Sequence, residues 1–158
     1  GDDNYLVSPA DGEIIKVEEV DGPKEVSLEN KKFKKISIFM NVFDCHVNRT
    51  PCSGTVEDIL YKPGKFFNAS LDKASEENER NYYKIKDKHG NDIIVVQIAG
   101  LVARRIICET DKNQELNQGE RIGMIRFGSR ADVYYENYEP LVKVGQTAIS
   151  GETLLAKK

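Results

Sequence analysis

Three side chains in this sequence have the residue types of nucleophilic acyl chemistry: Asp11, His46 and Ser129, in that chain order. A serine hydroxyl is a poor nucleophile until a base takes its proton; an imidazole with a pKa near ~6.5 can act as that base, and a carboxylate can orient the imidazole. Chain order excludes nothing, because such a set works by geometry and role. Each residue also has an ordinary structural reading. Asp11 lies in Pro9-Ala10-Asp11-Gly12, where turn geometry alone favours Asp before Gly. His46 follows an apolar strand and could sit at its polar end, and Ser129 in Phe127-Gly128-Ser129-Arg130 could be a bend between strands. His89, in Lys88-His89-Gly90-Asn91, reads as a turn residue.

Other chemistries lack their motifs. The sequence contains no G-x-G-x-x-G, no G-x-x-x-x-G-K-[ST], no H-E-x-x-H and no calcium-binding loop. Basic and aromatic residues do not interleave as on a single-strand binding sheet, since Lys31-Lys32-Phe33-Lys34-Lys35 is a lone cluster, so no nucleic-acid partner is expected. Cys45, Cys52 and Cys108 show no C-x-x-C spacing; neither a disulfide framework nor a metal site is signalled, and a reducing compartment suits them.

The elements that must position these residues are mostly strands. A chain of 158 residues with 39% hydrophobic and 31% charged residues is one globular domain. Its net charge of −3 gives no global attraction to nucleic acid or anionic lipid. The longest apolar stretch, 93–103, contains Gln97 and falls well short of the ~20 residues of a membrane helix. The acidic Gly1-Asp2-Asp3-Asn4 start is unlike a secretory signal. Short β-branched and aromatic runs predict strands over 13–20, 35–42, 55–61, 92–98, 103–108, 121–127, 131–135, 141–144 and 153–156. Ile36, Ile38, Met40 and Val42 share one face, whereas Ile93-Ile94-Val95-Val96 reads as a central strand buried on both sides. Pro9-Ala10-Asp11-Gly12 and Pro51-Cys52-Ser53-Gly54 both place P-x-x-G directly before a strand, which implies two related turns. The polar segment 68–81 reads either as a long functional loop or as a short helix capped by Ser70 or Asp72. The fold expected is a compact β-sandwich or barrel.

Five segments together carry a family resemblance: Ser8-Pro9-Ala10-Asp11-Gly12, Asn41 to Arg49, Pro63-Gly64-Lys65-Phe66, Asn78-Glu79-Arg80-Asn81, and Arg126-Phe127-Gly128-Ser129-Arg130. Over essentially the whole chain the sequence resembles the phosphatidylserine decarboxylases, in their short-chain branch. The resemblance implies a barrel-sandwich hybrid related to lipoyl-like and sugar-phosphotransferase carrier folds, filling residues 1–158 as a single catalytic domain. It implies a proenzyme that cuts itself between Gly128 and Ser129 into a β chain, 1–128, and an α chain, 129–158. Ser129 would become a covalent pyruvoyl group, with no metal, whose carbonyl forms a Schiff base with the lipid's serine amine. His46 is then the expected general acid, with Asp11 setting its tautomer and raising its pKa.

The longer-chain branch carries H-x-x-H where this sequence reads His46-Val47-Asn48-Arg49, so a single histidine has two tasks or another residue helps. That branch also has L-G-S-T at the cut, where this chain has Phe127-Gly128-Ser129-Arg130. Arg49, Arg126 and Arg130 are candidates for holding the substrate carboxylate or phosphate, against a reading as surface ion pairs. Phe66, with Phe67 and Leu71, either meets the lipid interface or packs in the core. The resemblance further implies a phospholipid substrate, a location at the cytoplasmic face of the cell membrane through peripheral contact or an N-terminal anchor outside these residues, and a homodimer.

Two rival readings compete. Val142 to Thr147 with Gly151 to Leu154 resembles lipoyl, biotinyl and phosphocarrier turns, but no lysine sits in a D-K or M-K-M turn and no second histidine lies near His46 in sequence. A serine hydrolase using intact Ser129 would lack the G-x-S-x-G elbow.

Overall fold

A computed structural model describes residues 2–40, 45–101, 106–126 and 128–158, and of Cys45, His46 and Arg126 the backbone alone. Fourteen strands are described: β1 (Tyr5–Val7), β2 (Gly12–Asp21), β3 (Lys32–Phe39), β4 (Cys45–Arg49), β5 (Gly54–Lys62), β6 (Arg80–Asp87), β7 (Asp92–Ile98), β8 (Ile106–Cys108), β9 (Glu115–Leu116), β10 (Arg121–Arg126), β11 (Arg130–Tyr135), β12 (Glu139–Pro140), β13 (Thr147–Ala148) and β14 (Leu154–Lys157). One helical turn, α1 (Ala74–Glu77), lies between β5 and β6. The main sheet has the order β13-β2-β3-β11-β7-β6-β5-β9; two three-stranded sheets, β4-β10-β8 and β1-β14-β12, complete a mostly β fold of the sandwich or barrel class.

Burial explains the sheet order. All seven residues of β7 are buried. Its Ile93 and Val95 join the larger core, while Ile94, Val96 and Ile98 join a second cluster on the other face, so an uninterrupted apolar run is what this position requires. The adjacent β11 alternates: Ala131, Val133 and Tyr135 enter the larger core. Ile36, Ile38 and Met40 are fully buried in that core too, as their shared face predicts, whereas Val42 lies outside the described residues.

The two P-x-x-G turns are structural twins. In the first, the Ser8 hydroxyl donates to the Ala10 carbonyl at 2.7 Å; in the second, the Thr50 hydroxyl donates to the Cys52 carbonyl, also at 2.7 Å. Each turn holds the strand before the other: Arg49 N donates to Pro9 O at 2.9 Å and Val7 N donates to Pro51 O at 3.0 Å. Each is closed by an equivalent loop, with Gly151 N donating to Ser8 O and Gly119 N to Thr50 O. Gly12 and Gly54 start the following strands so close to a neighbour that a Cβ would lie 2.2 Å from Phe39 O and 2.1 Å from Lys86 O.

Three expectations change. The span 141–144 forms no ladder, because the chain turns at Gly145 with φ +97°. The polar segment before Asn81 ends earlier than its composition suggests, since β6 starts at Arg80, whose charge is taken up by Glu25 at 2.9 Å. The helix at Ala74–Glu77 uses neither Ser70 nor Asp72 as its cap: Lys73 occupies that position, without a side-chain capping bond.

Candidate active site

Ser129 lies immediately before β11 and is fully buried. Its carbonyl accepts a hydrogen bond from Met40 N at 2.8 Å, which extends the β3 pairing by one residue. The hydroxyl has only a weak neighbour among the described residues, the Met40 sulfur at 4.0 Å. Gly128 has φ +61°, the left-handed region that glycine enters without a Cβ penalty. Gly100 backs onto its carbonyl: a Cβ there would stand 2.0 Å from Gly128 O and 3.3 Å from Ala69 Cβ. The Gly128–Ser129 bond is therefore enclosed by the end of β3, the turn after β7 and the segment through Ala69.

The Asp11 turn reaches this enclosure through a short series of contacts. Pro9 O accepts from Arg49 N at 2.9 Å, from Ser150 Oγ at 3.3 Å and from Asn48 Nδ2 at 3.4 Å. The same Asn48 nitrogen lies 3.8 Å from the Met40 sulfur that faces Ser129. The Asp11 carboxylate is exposed, and its Oδ1 accepts from Ser150 N at 2.6 Å. Strand register places His46 opposite Ile125 and Cys45 opposite Arg126. The side chains of His46 and Arg126, expected as general acid and substrate contact, lie outside the described residues. Arg49 is half-buried, donates from Nη1 to Gly119 O at 2.9 Å, and carries its stem along Gly151.

Arg130, expected to meet the substrate, is instead fully buried with Asp132 as its partner. Burial works against the guanidinium charge, and Asp132 more than offsets that effect, raising the Arg130 pKa above its ordinary value. Phe66 is 36% exposed and Leu71 46% exposed on the segment that covers the site. Asn78 fastens that segment: fully buried, it accepts from Phe67 N at 2.9 Å and donates to Phe67 O at 2.8 Å and to Ala99 O at 2.6 Å. His89 lies in an exposed turn, with Nε2 2.9 Å from Asp3 O.

A buried amide network under the site escaped the sequence reading. Gln97 Nε2 donates to Asn48 Oδ1 at 3.0 Å, and Gln97 Oε1 accepts from Tyr83 OH at 2.7 Å and Asn81 Nδ2 at 3.2 Å. It fixes the Asn48 amide so that its NH2 faces Pro9 and Met40. The available signal was Gln97 itself, a lone amide inside the apolar run of β7.

The sequence profile of the family Phosphatidylserine decarboxylase matches residues 1–156. The chain is 78% identical to a phosphatidylserine decarboxylase proenzyme of Pelagibacter ubique over 157 residues, which is 99% of this chain and 73% of that relative. It is 55% identical to the proenzyme of the same name from Cereibacter sphaeroides, covering 98% of this chain and 67% of the relative. The corresponding protein of Ruegeria pomeroyi is 54% identical, with 98% and 71% covered. No solved structure matches the chain. A match of this extent does not favour the carrier-domain reading, and the chain belongs to the phosphatidylserine decarboxylase family.

Proposed function

We propose that the chain removes CO2 from phosphatidylserine to leave phosphatidylethanolamine, using a pyruvoyl group made from its own Ser129. As a family member the chain is a decarboxylase that acts on a phospholipid. The observation that carries the reading to one bond is the setting of Gly128–Ser129: a left-handed glycine whose carbonyl is pressed against Gly100, followed by a buried hydroxyl that is weakly engaged among the described residues.

In this reading the Ser129 hydroxyl attacks the Gly128 carbonyl carbon, the C–N bond breaks, and the acyl group passes from nitrogen to oxygen as an ester. Loss of the Ser129 α-proton expels the Gly128 carboxylate and leaves dehydroalanine. Its imine tautomer takes up one water and releases ammonia. Residues 1–128 then end in a carboxylate, and residues 129–158 begin at the new carbonyl. Pairing of β11 with β3 and β7, and of β14 with β1, supports retention of the two pieces in one fold.

Once formed, that carbonyl supplies an electrophile for an amine and a sink for the electron pair released with CO2. His46 is proposed as the base that activates Ser129 and as the acid that later delivers a proton to the substrate carbon, with Asp11 supporting its charge. Arg49 and Arg126 are proposed to meet the substrate carboxylate or phosphate. Phe66 and Leu71, exposed on the covering segment, are proposed to contact the lipid surface at the cytoplasmic face of the membrane. A homodimer is the proposed assembly.

Phenylhydrazine tests the reading, because it caps a reactive carbonyl and leaves an intact serine untouched. Treated protein should lose decarboxylation of phosphatidylserine vesicles in step with labelling at residue 129. Full turnover after stoichiometric labelling, or activity in protein that takes up no label, would contradict it.

A further inference from the structure

Resting on that reading of Ser129, we propose that Arg130 and Asp132 are positioning residues: their buried ion pair anchors residue 129 and keeps it in place after the bond before it is broken. Arg130 is the first residue of β11, paired with Phe39 of β3 and Ile98 of β7. Its Nε and Nη2 donate to the two Asp132 oxygens at 2.7 and 3.1 Å, and Nη2 also donates to Ser37 Oγ at 3.1 Å. Nη1 makes long contacts, both at 3.5 Å, with the carbonyls of Ala69 and Leu71. One guanidinium thus joins three elements: its own strand, the neighbouring β3, and the segment that covers the cut.

The side chains are 0% and 1% exposed, so two charges have been taken fully out of water. Such a pair seldom adds net stability over well-packed apolar residues, because desolvation consumes the attraction. What it does supply is directional fixation, since a planar fork fits its partners in only one orientation. That matters here for a specific reason. A strand end frays easily, and cleavage before residue 129 turns the reactive position into a chain terminus one residue ahead of β11. Among the described residues, the backbone bond from Met40 N to Ser129 O would then be the nearest restraint. Arg130 adds a buried side-chain anchor one residue further on.

The test compares wild type, Arg130→Lys, and the double variant Arg130→Met with Asp132→Leu, each as the whole chain. The double variant removes both charges together and so avoids leaving either one unpaired. Anchoring predicts that the double variant melts close to wild type yet cuts its chain about tenfold or more slower, because small misplacements of reacting groups are costly. In its cleaved fraction, phenylhydrazine should label residue 129 faster than in wild type, because the freed end frays. Arg130→Lys keeps the charge and loses the fork, and should show a smaller slowing in the same direction. A folded double variant that cuts and labels at wild-type rates would overturn the anchor. If the double variant does not fold, wild-type rates in folded Arg130→Lys overturn it equally. Wild-type protein that neither cuts nor labels would instead sink the reading of Ser129 on which the anchor rests.

Discussion

Gly100 packs so closely against the carbonyl of Gly128 that a Cβ at residue 100 would come within 2.0 Å of the oxygen. The contact is backbone to backbone, so no flexible side chain can move aside to relieve it. It fixes the carbonyl that Ser129 is proposed to attack, and it brings the turn after β7 into the candidate site.

Gly100→Ala should therefore displace Gly128 and stop chain cleavage, at a stability cost of about 1–3 kcal/mol from overpacking. Urea denaturation gives the cost and a reducing gel gives the cleavage. A folded Gly100→Ala protein that cuts normally would show that the approach is mere packing.

The twin turns separate the structural duty of Asp11 from its charge. Asp11 Oδ1 accepts from Ser150 N at 2.6 Å, and at the equivalent place in the second turn Ser53 Oγ accepts from Gln118 N at 2.9 Å. A hydroxyl thus serves the turn as well as a carboxylate does. Asp11→Ser should keep the fold, with a stability change within about 0.5 kcal/mol, and should still lose maturation or turnover. Wild-type maturation and turnover in that variant would remove Asp11 from the site.

Among the described residues the Asn78 side chain makes three hydrogen bonds, all to main-chain atoms of Phe67 and Ala99. Asn78→Ala would leave those partners unsatisfied in a buried place, so it should cost about 2–4 kcal/mol and loosen the segment bearing Phe66 and Leu71. Hydrogen exchange should rise at Phe67. A variant as stable as wild type, with unchanged exchange there, would contradict the fastening role.

Glu25 meets Arg80 at 2.9 Å with both side chains largely buried. Burial raises the Glu25 pKa, but the Arg80 hydrogen bond, hydrogen bonds from the Glu25 backbone and from Tyr82, and the Arg80 charge together more than offset this and leave it below its ordinary value of 4.5. A depressed folded-state pKa contributes stability that is present above 4.5 and lost as the pH falls through the lower folded value. Glu25→Gln should remove about 3 kcal/mol at neutral pH, where it leaves Arg80 unpaired, and should flatten the acid limb of the stability curve. An unchanged acid limb would show that other carboxylates control it.

Much of this arrangement was legible in the residues. The apolar run Ile93-Ile94-Val95-Val96 read as a central strand buried on both sides, as β7 is, and two P-x-x-G segments before strands became the twin turns. Asp11 and Ser129 stood out by residue type and by the segments around them. Elements whose stability comes from distant partners were hidden. β6 opens Arg80-Asn81, which looks like loop until Glu25 and Gln97 are seen to satisfy those side chains. Arg130 looked like a surface or substrate-facing cation for the same reason: its partners Asp132 and Ser37 converge on it only once β3 and β11 pair. Gly100 carries no side-chain signal at all, and its importance lies in the carbonyl that approaches it.

Intact mass under denaturing conditions tests most directly whether this chain builds its own carbonyl. Active wild-type protein should separate into two components, residues 1–128 and a fragment from 129 to 158 that begins with a pyruvoyl group, while Ser129→Ala should remain one full-length species. A single unmodified full-length mass from active wild-type protein would contradict the account.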